Sequence, residues 1–314
     1  MTGRFTVLAS GSSGNAALLE ANGFGLLIDC GLHPKALTAR LAEISASWDS
    51  IHAVILTHTH SDHWKDLTLA DLRSRKIPLW AHPAQFDYLA TAAPSFETLD
   101  RAGLTRAYQS DHPHTIAPGL VVRPVRVSHD SDPTFAFRID WYDGPNLAWS
   151  VGYASDLGCF TTELIEAFTG VDVLALEYNH DLKLERGSKR PRYLVDRVLG
   201  DCGHLSNDQA AELTTAIATR SGDGFPSHLV QLHLSRDCNR PELASASGRA
   251  ALAQLNPRSE VITARQDSVA KSIPLMRRED SVRRDECRTR TRVVPPLLTR
   301  VGRVIQPMLP GFES

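Results

Sequence analysis

Short apolar runs separated by turn residues open the chain. Phe5–Ala9, Ala16–Glu20 and Gly25–Ile28 are predicted as strands, and Asn22-Gly23 is typical of the two-residue turn of a β-hairpin. Ile51–Thr57 contains the apolar sequence of a strand that is buried on both faces. The pattern therefore predicts that this end of the chain forms a sheet.

Helical spacing of apolar residues alternates with further strands along the rest of the chain. The predicted helices are Pro34–Glu43, Trp64–Arg75, Thr161–Phe168, Tyr193–Leu199, Asn207–Thr219 and Pro241–Leu255. The further predicted strands are Ile77–Ala81, Leu120–Ser128, Thr134–Trp141, Ala148–Ala154, Val171–Leu176, His228–Leu234 and Val261–Ala264. Because strands with a few helices occur twice, we expect an α/β protein with two sheets that carry helices on their outer faces.

The composition changes near residue 272, where an arginine-rich stretch with interspersed acidic residues begins. We therefore expect one folded domain over residues 1–272 and a flexible extension over residues 273–314. The favoured interpretation of this extension is a solvated tail, and the alternative is contact with a nucleic-acid backbone through its arginines. These are Arg277, Arg278, Arg283, Arg284, Arg288, Arg290 and Arg292. Gln306–Phe312 loosely resembles peptides that dock on sliding clamps, which makes it a candidate contact with a protein partner.

The overall composition is that of an ordinary soluble globular protein, with 42% hydrophobic residues and a formal net charge of −2. This balance does not by itself indicate a nucleic-acid-binding protein. No apolar stretch approaches the ~18–20 residues of a membrane helix, and Met1–Phe5 lacks the features of a signal peptide. We expect a cytoplasmic protein with no membrane contact. The five cysteines are widely spaced without a C-x-x-C pair, which argues against a disulfide framework or a thiolate zinc site.

Four residues with metal-binding side chains follow the buried strand directly: His58, His60, Asp62 and His63. Neutral imidazoles and carboxylates are good ligands for zinc, manganese and similar divalent ions. His58 and His60 are spaced to hold one ion, and Asp62 and His63 are placed to reach a second. The alternative is a solvated polar loop, but burial of these groups at a strand end costs free energy unless a partner compensates it.

One loop supplies too few ligands for two ions, so the remaining ligands must come from elsewhere. Three candidates lie at the ends of later predicted strands: His129 in Ser128-His129-Asp130, Asp156 in Ser155-Asp156, and His233 in Gln231–Ser235. Each residue alone would more often be structural. Their joint presence after the histidine-rich loop favours a dinuclear metal site.

At this point the chain resembles the metallo-β-lactamase superfamily over about residues 1–270. The resemblance rests on the motif H-x-H-x-D-H, present as residues 58–63, and on Asp29 within Leu27–Gly31. It implies a four-layer αβ/βα sandwich of two mixed β-sheets flanked by helices. The chain is also similar to the YycJ-type branch of this superfamily, described as 5′–3′ DNA exonucleases and similar in layout to ribonuclease Z. The segments that carry this second similarity are Ser10–Asn15, Ser128–Asp130, Leu176–Asp181, Gly203–Asn207 and Leu232–Arg236.

The resemblance implies a role for each candidate ligand, with two divalent ions, zinc or manganese, as cofactors. His58, His60 and His129 would hold one ion, Asp62, His63 and His233 would hold the other, and Asp156 would bridge them. Asp29 would support the metal loop by hydrogen bonding. For Asp29 taken alone, capping of a turn is the better interpretation.

The mechanism expected for such a site is phosphodiester hydrolysis, with hydroxide held between the two ions as the nucleophile. Asp62, Glu177 and His204 are the predicted catalytic residues, and His204 is the candidate proton donor because a nearby carboxylate raises the pKa of a histidine. The alternative for His204 is an idle, exposed position beside the cap of the following helix. The Ser10–Asn15 loop is a weak candidate for binding phosphate through backbone N–H groups.

Asn179, His180 and Arg236 are predicted to bind the substrate. For His180 a buried, hydrogen-bonded role is equally compatible with the sequence, and for Arg236 a surface salt bridge. The leading hypothesis is an exonuclease that acts on DNA, with RNA as a further possibility. One alternative is a hydrolase of a small ester, thioester or lactam. The features that discriminate are the Glu177/His204 pair and the segment Asn179–Asp181, which a simple thioesterase would not need. The other alternative is a non-catalytic metal-binding regulatory protein, which would be expected to have lost ligands.

Overall fold

The computed structural model describes residues 3–131 and 133–278, and two mixed sheets dominate this part of the chain. The first sheet contains β1 (Gly3–Ala9), β2 (Ala16–Ala21), β3 (Phe24–Ile28), β4 (Ala53–Ile55), β5 (Leu79–Ala81), β6 (Thr105–Ala107) and β14 (Ile273–Leu275). The strand order is β14-β1-β2-β3-β4-β5-β6. Pairing is antiparallel from β14 to β3 and parallel from β3 to β6.

The second sheet repeats this arrangement. It contains β7 (His114–Ala117), β8 (Leu120–Val127), β9 (Thr134–Asp143), β10 (Asn146–Ala154), β11 (Val173–Glu177), β12 (His228–Leu232) and β13 (Glu260–Thr263). The strands lie in the order β13-β12-β11-β10-β9-β8-β7. Pairing is antiparallel from β7 to β10 and parallel from β10 to β13. In each sheet, the parallel strands therefore end at a common edge.

Helices lie against the outer face of each sheet. In chain order they are α1 (Pro34–Glu43), α2 (Asp66–Arg75), α3 (Pro83–Ala92), α4 (Pro94–Arg101), α5 (Thr162–Phe168), α6 (Leu182–Arg186), α7 (Arg192–Leu199), α8 (Asn207–Ser221) and α9 (Pro241–Leu252). Leu41 of α1 and Leu72 of α2 pack with strand residues of the first sheet, whereas Leu213 of α8 packs with the second. The inner faces of the two sheets share a third cluster, which includes Phe5 and Phe137. The four-layer αβ/βα sandwich predicted from the resemblance is confirmed.

Most predicted elements are present, and α1 has the predicted bounds. Helices α3, α4 and α6 and strands β6 and β14 were not predicted. Strand β14 is three residues long, lies at the edge of its sheet and contains Pro274, a residue that sheets tolerate at an edge but that gives no strand signal in a sequence. The first sheet thus extends past the boundary predicted at residue 272.

The compact unit that contains both sheets ends at Arg277, whose guanidinium pairs with Asp143 at 2.9 Å. Of the predicted extension beyond it, Arg278 is described. The arginines from Arg283 to Arg292 and the segment Gln306–Phe312 lie outside the described residues. No helix in the described ranges is both long and apolar enough to cross a membrane.

A substitution at Trp149 of β10 would test the packing between the two sheets. Its side chain is fully buried and stacks on Trp141, with ring centroids 6.0 Å apart and planes at 13°. We expect Trp149→Ala to lower the free energy of unfolding by about 3–5 kcal/mol, because the cavity removes dispersion contacts from both sheets. Tyr88→Ala, at a side chain 50% exposed on α3, is the control and should change stability by about 0.5 kcal/mol or less. Urea denaturation measures both, and equal effects would contradict this account of the core.

Candidate metal centre

The candidate site residues lie where strands of both sheets end. In the first sheet, Ser10 follows β1, Asp29 follows β3, and the loop with His58 to His63 follows β4. In the second sheet, His129 follows β8, Asp156 follows β10, and His233 follows β12, while Glu177 is the last residue of β11. These strands run in the same direction within each sheet, so their carboxyl ends bring residues that are distant in sequence to one edge.

The backbone of the metal loop, residues 58–63, is fixed by two neighbouring segments. The amide of Cys30 donates to the carbonyl of His63 at 2.9 Å, and the amide of Asn15 donates to the carbonyl of Asp62 at 2.7 Å. Gly31 permits this close approach, because a Cβ atom there would lie 1.7 Å from the Asp62 carbonyl oxygen. These contacts therefore define the conformation of the loop.

His58, His60 and His129 form the first group of potential ligands. The Nδ1 atom of His60 lies 3.2 Å from Nε2 of both His58 and His129. Each opposite ring nitrogen has a protein partner: the Thr57 hydroxyl for His58 at 3.0 Å, Asp130 for His60 at 3.3 Å, and the Gly203 carbonyl for His129 at 2.9 Å. Burial lowers the pKa of all three imidazoles. Neutral rings with one nitrogen fixed and the other directed at a common point suit a metal ion.

Asp62, His63 and His233 form the second group. Asp62 Oδ2 lies 3.6 Å from Nε2 of His63 and 3.4 Å from Nε2 of His233. The buried Asp29 accepts a hydrogen bond from His63 Nδ1 at 2.8 Å and another from the Thr57 amide at 2.8 Å. Burial alone would lower the pKa of His63, but the surrounding carboxylates, Asp29 foremost, raise it to about 10. The same negative field favours a divalent cation.

Asp156 lies between the two groups and is buried. Its Oδ2 is 3.1 Å from His63 Nε2, and its Oδ1 is 3.9 Å from His129 Nε2 and 3.1 Å from His233 Nδ1. Oδ2 makes no hydrogen bond with another described residue. A buried carboxylate oxygen in this condition is costly unless it has a partner, and a bound cation supplies one. The donor set of imidazoles and carboxylates fits zinc or manganese.

Glu177 and His204 form a hydrogen-bonded pair beside Asp156. His204 Nδ1 lies 2.7 Å from Glu177 Oε1, while Glu177 Oε2 accepts from the amides of Leu157 and Leu205 at 3.2 and 3.0 Å. Burial would lower the pKa of His204, but the Glu177 carboxylate raises it above its ordinary value. Ser206 caps α8 by itself, through a reciprocal pair of bonds with Gln209. His204 therefore faces the site, and its Nδ1 is directed at Glu177.

The residues predicted to bind substrate occupy three different environments. His180 is fully buried, and neither ring nitrogen has a hydrogen-bond partner among the described residues. Asn179 is also buried, and its amide donates to the His233 carbonyl at 2.8 Å, which fixes the left-handed backbone of His233. Arg236 is exposed beyond the same turn. Of the three, Arg236 alone is open to a substrate in this structure.

The Ser10–Asn15 loop does not offer its backbone to a phosphate as expected. Its amides at residues 10, 11, 13, 14 and 15 donate within the protein. The loop instead supports the second ligand group: Asn15 Nδ2 lies 3.0 Å from His63 Nε2, and the Ser10 hydroxyl accepts from the His233 amide at 2.8 Å. Asn15 was not predicted as a site residue, because its contact depends on the folding of the loop onto residues 62 and 63. Asp130 was not predicted as the partner of His60, although it directly follows His129.

The chain is similar in sequence to known bacterial exodeoxyribonucleases. The chain is 29% identical over 249 residues to an exodeoxyribonuclease named WalJ from Streptococcus pneumoniae, covering 77% of this chain and 85% of that protein. It is 28% identical over 248 residues to an exodeoxyribonuclease named YycJ from Bacillus anthracis, covering 77% and 86%.

Solved structures and a family model agree with this similarity. The metallo-β-lactamase-fold protein YhfI from Bacillus subtilis superposes with a TM-score of 0.62 at 18% identity, covering 87% of this chain and all of that one. The short form of human tRNase Z superposes with a TM-score of 0.56 at 16% identity, covering 85% and 98%. Residues 25–229 match the model of the beta-lactamase superfamily domain. The chain belongs to the beta-lactamase superfamily and has the metallo-β-lactamase fold.

Proposed function

We propose that this protein is a metal-dependent 5′–3′ exodeoxyribonuclease with two divalent ions, zinc or manganese, at the site described above. The names of the relatives from Streptococcus pneumoniae and Bacillus anthracis, which align with about three quarters of the chain, support a nuclease that acts on DNA. The proposed ligands are those in the two groups: His58, His60 and His129, Asp62, His63 and His233, with Asp156 shared between them.

The observation that carries the proposal is the Glu177–His204 pair beside the ligand groups. His204 Nδ1 lies 3.6 Å from Asp156 Oδ1, so the imidazole borders the place where a substrate phosphate would bind. Hydrolysis of a phosphodiester needs a proton for its leaving alkoxide, whereas the thiolate that leaves a thioester is a much weaker base and departs without one. A histidine held in its charged form by a buried carboxylate suits the first reaction. All of the predicted ligands are present in or between the two groups, which argues against a regulatory protein without activity.

Each side chain has a separate task in this scheme. The ions, when bound, would neutralise charge on the phosphate and acidify a water molecule for attack on phosphorus. His204 holds a proton on Nε2 and transfers it to the leaving oxygen as the P–O bond breaks. Glu177 accepts from His204 Nδ1 and so fixes the ring and favours its charged form. Arg236, exposed past His233, is placed to bind a flanking phosphate as a bidentate partner.

The first test is degradation of end-labelled DNA by the full-length protein loaded with manganese or zinc. We expect shortening of DNA from the 5′ end, and loss of that activity to background in Asp156→Ala, since this change removes the carboxylate common to both ligand groups. Asp87→Ala, at an exposed aspartate of α3, is the matched control. The proposal fails if no labelled DNA or RNA is cleaved with either metal. The ligand assignment fails if Asp156→Ala retains activity.

The second test concerns the ions themselves. We expect two zinc or manganese ions per chain by elemental analysis. Asp29→Asn should weaken the affinity for the ion bound by His63 by about 10–100-fold, because an amide cannot reproduce both hydrogen bonds that the buried carboxylate accepts from His63 and Thr57. Competition with a metal chelator measures the affinity. Asp87→Asn is the control, and an unchanged affinity in Asp29→Asn would refute the supporting role.

The third test separates proton donation from a structural role of His204. We expect His204→Ala to slow DNA hydrolysis by about 10²–10⁴-fold. The same variant should lose much less activity on bis(p-nitrophenyl) phosphate, since nitrophenolate departs without a proton. His112→Ala, at a histidine whose ring contacts the Ser110 carbonyl, is the control. Equal losses on both substrates would show that His204 does not act as the acid.

A further inference from the structure

A strongly basic segment lies between Glu177 and His204 in the sequence. This segment, residues 182–199, consists of α6, the connecting loop and α7. We call it the basic lip. It contains six basic residues and two acidic ones, in a chain with a net charge of −2. The basic residues are Lys183, Arg186, Lys189, Arg190, Arg192 and Arg197. None of the proposed ligands and neither catalytic residue belongs to this segment.

Two ion pairs place the basic lip across one side of the site. Arg190 lies 3.0 Å from Asp237 and 3.4 Å from the Ser235 hydroxyl, in the loop that follows His233. Arg197 pairs with Asp130, the residue that contacts His60. The lip therefore touches the loop after a ligand of the second group and the loop after a ligand of the first.

The acidic residues of the lip are already paired. Glu185 is buried and lies 3.2 Å from Arg190, and Asp196 lies 3.0 Å from Arg192. The remaining cations, Lys183, Arg186 and Lys189, are exposed and form no ion pair with another described residue. The lip thus presents uncompensated positive charge at the edge of a site proposed to act on a polyanion.

Tyr193 is an exposed aromatic residue on this lip, with 75% of its surface open to solvent. It precedes Arg197 by one helical turn, so both side chains lie on the same face of α7, about 6 Å apart along the helix axis. Arg197 on that face contacts Asp130 at the rim of the site. Val195 and Val198 bury the opposite face of the helix. The Tyr193 ring therefore lies on the face of α7 that leads to the site.

We propose that the basic lip binds single-stranded DNA that enters the site, with a base stacked on Tyr193 and phosphates bound by Lys183, Arg186 and Lys189. This inference rests on the proposed nuclease function. Unpaired bases stack on aromatic side chains without regard to sequence, and a line of cations follows the backbone. Bases inside a duplex are already stacked on both faces, so the lip favours a single strand.

The test measures binding by the full-length, metal-loaded protein to a single-stranded oligonucleotide with phosphorothioate linkages, which resist cleavage. We expect Tyr193→Ala to weaken binding by about 5- to 100-fold, and Tyr193→Phe to bind like the wild type, since Phe keeps the stacking surface. Tyr88→Ala is the control for the loss of an exposed aromatic residue. In steady-state hydrolysis of unmodified DNA, Tyr193→Ala should raise KM more than it lowers kcat.

The cations are tested by the salt dependence of binding. Replacing Lys183, Arg186 and Lys189 together with alanine should reduce the slope of log affinity against log salt by about 2, since each phosphate contact on a single strand contributes about 0.7. The control replaces Arg73, Lys76 and Arg258, which are exposed near strand starts at the other end of the sheets. Circular dichroism checks that every variant is folded.

The outcomes separate this inference from the proposed function. If the wild type degrades DNA while Tyr193→Ala and the triple lip variant bind and cleave like it, the lip is not the binding surface and only this inference fails. The same holds if Tyr193→Phe is as weak as Tyr193→Ala, because stacking would not then explain the loss. If the wild type neither binds nor degrades any oligonucleotide, both the proposed function and the inference are wrong.

Discussion

Charge balance among buried side chains is the constraint on which the rest of this site depends. Asp29, Asp156 and Glu177 are buried together with imidazoles from three loops, and a buried charge without a partner costs several kcal/mol. The free-energy cost of burial is offset differently for each carboxylate. Asp29 accepts from His63 and Thr57, and Glu177 accepts from His204 and two backbone amides. Asp156 keeps one oxygen without a hydrogen bond among the described residues, and a cation bound between the ligand groups would complete its balance.

Glu177 also connects the proposed ligands to the proposed proton donor. Glu177 Oε1 lies 2.7 Å from His204 Nδ1 and 3.2 Å from Nδ1 of His233, so one oxygen faces both a proposed acid and a proposed ligand. Its other oxygen is held by amides that follow Asp156 and His204 directly in sequence. A movement of Glu177 would therefore displace three elements of the site at once. This explains why a glutamate is enclosed at the end of β11, where an apolar side chain would cost less to bury.

The sequence identified the proposed ligands but not all of the residues that hold them in position. His58 to His63 could be identified because ligand side chains crowd into six residues after an apolar strand, and His129, Asp156 and His233 because each follows a strand. Asn15 could not be identified, since its contact with His63 exists only after the Ser10–Asn15 loop folds back on residues 62 and 63. Helices α3 and α4 were missed for a local reason: Pro83 and Pro94 interrupt the sequence yet stand at the first turn of each helix, where proline is tolerated.

The net charge of the whole chain is a poor guide to the charge near the proposed active site. A value of −2 for the whole chain gave no indication of a nucleic-acid partner, because a total does not show that six basic residues and two acidic ones lie together in residues 182–199. What a phosphate backbone experiences is the local field, which ions in solution screen within about 10 Å. Within that range of the basic lip, its own acidic side chains are already paired, and three cations face solvent. The buried carboxylates of the site carry the opposite charge and are suited to hold metal ions. In the proposed function, the cations at the rim would attract the polyanion, and the carboxylates at the centre would attract the metal ions that act on it.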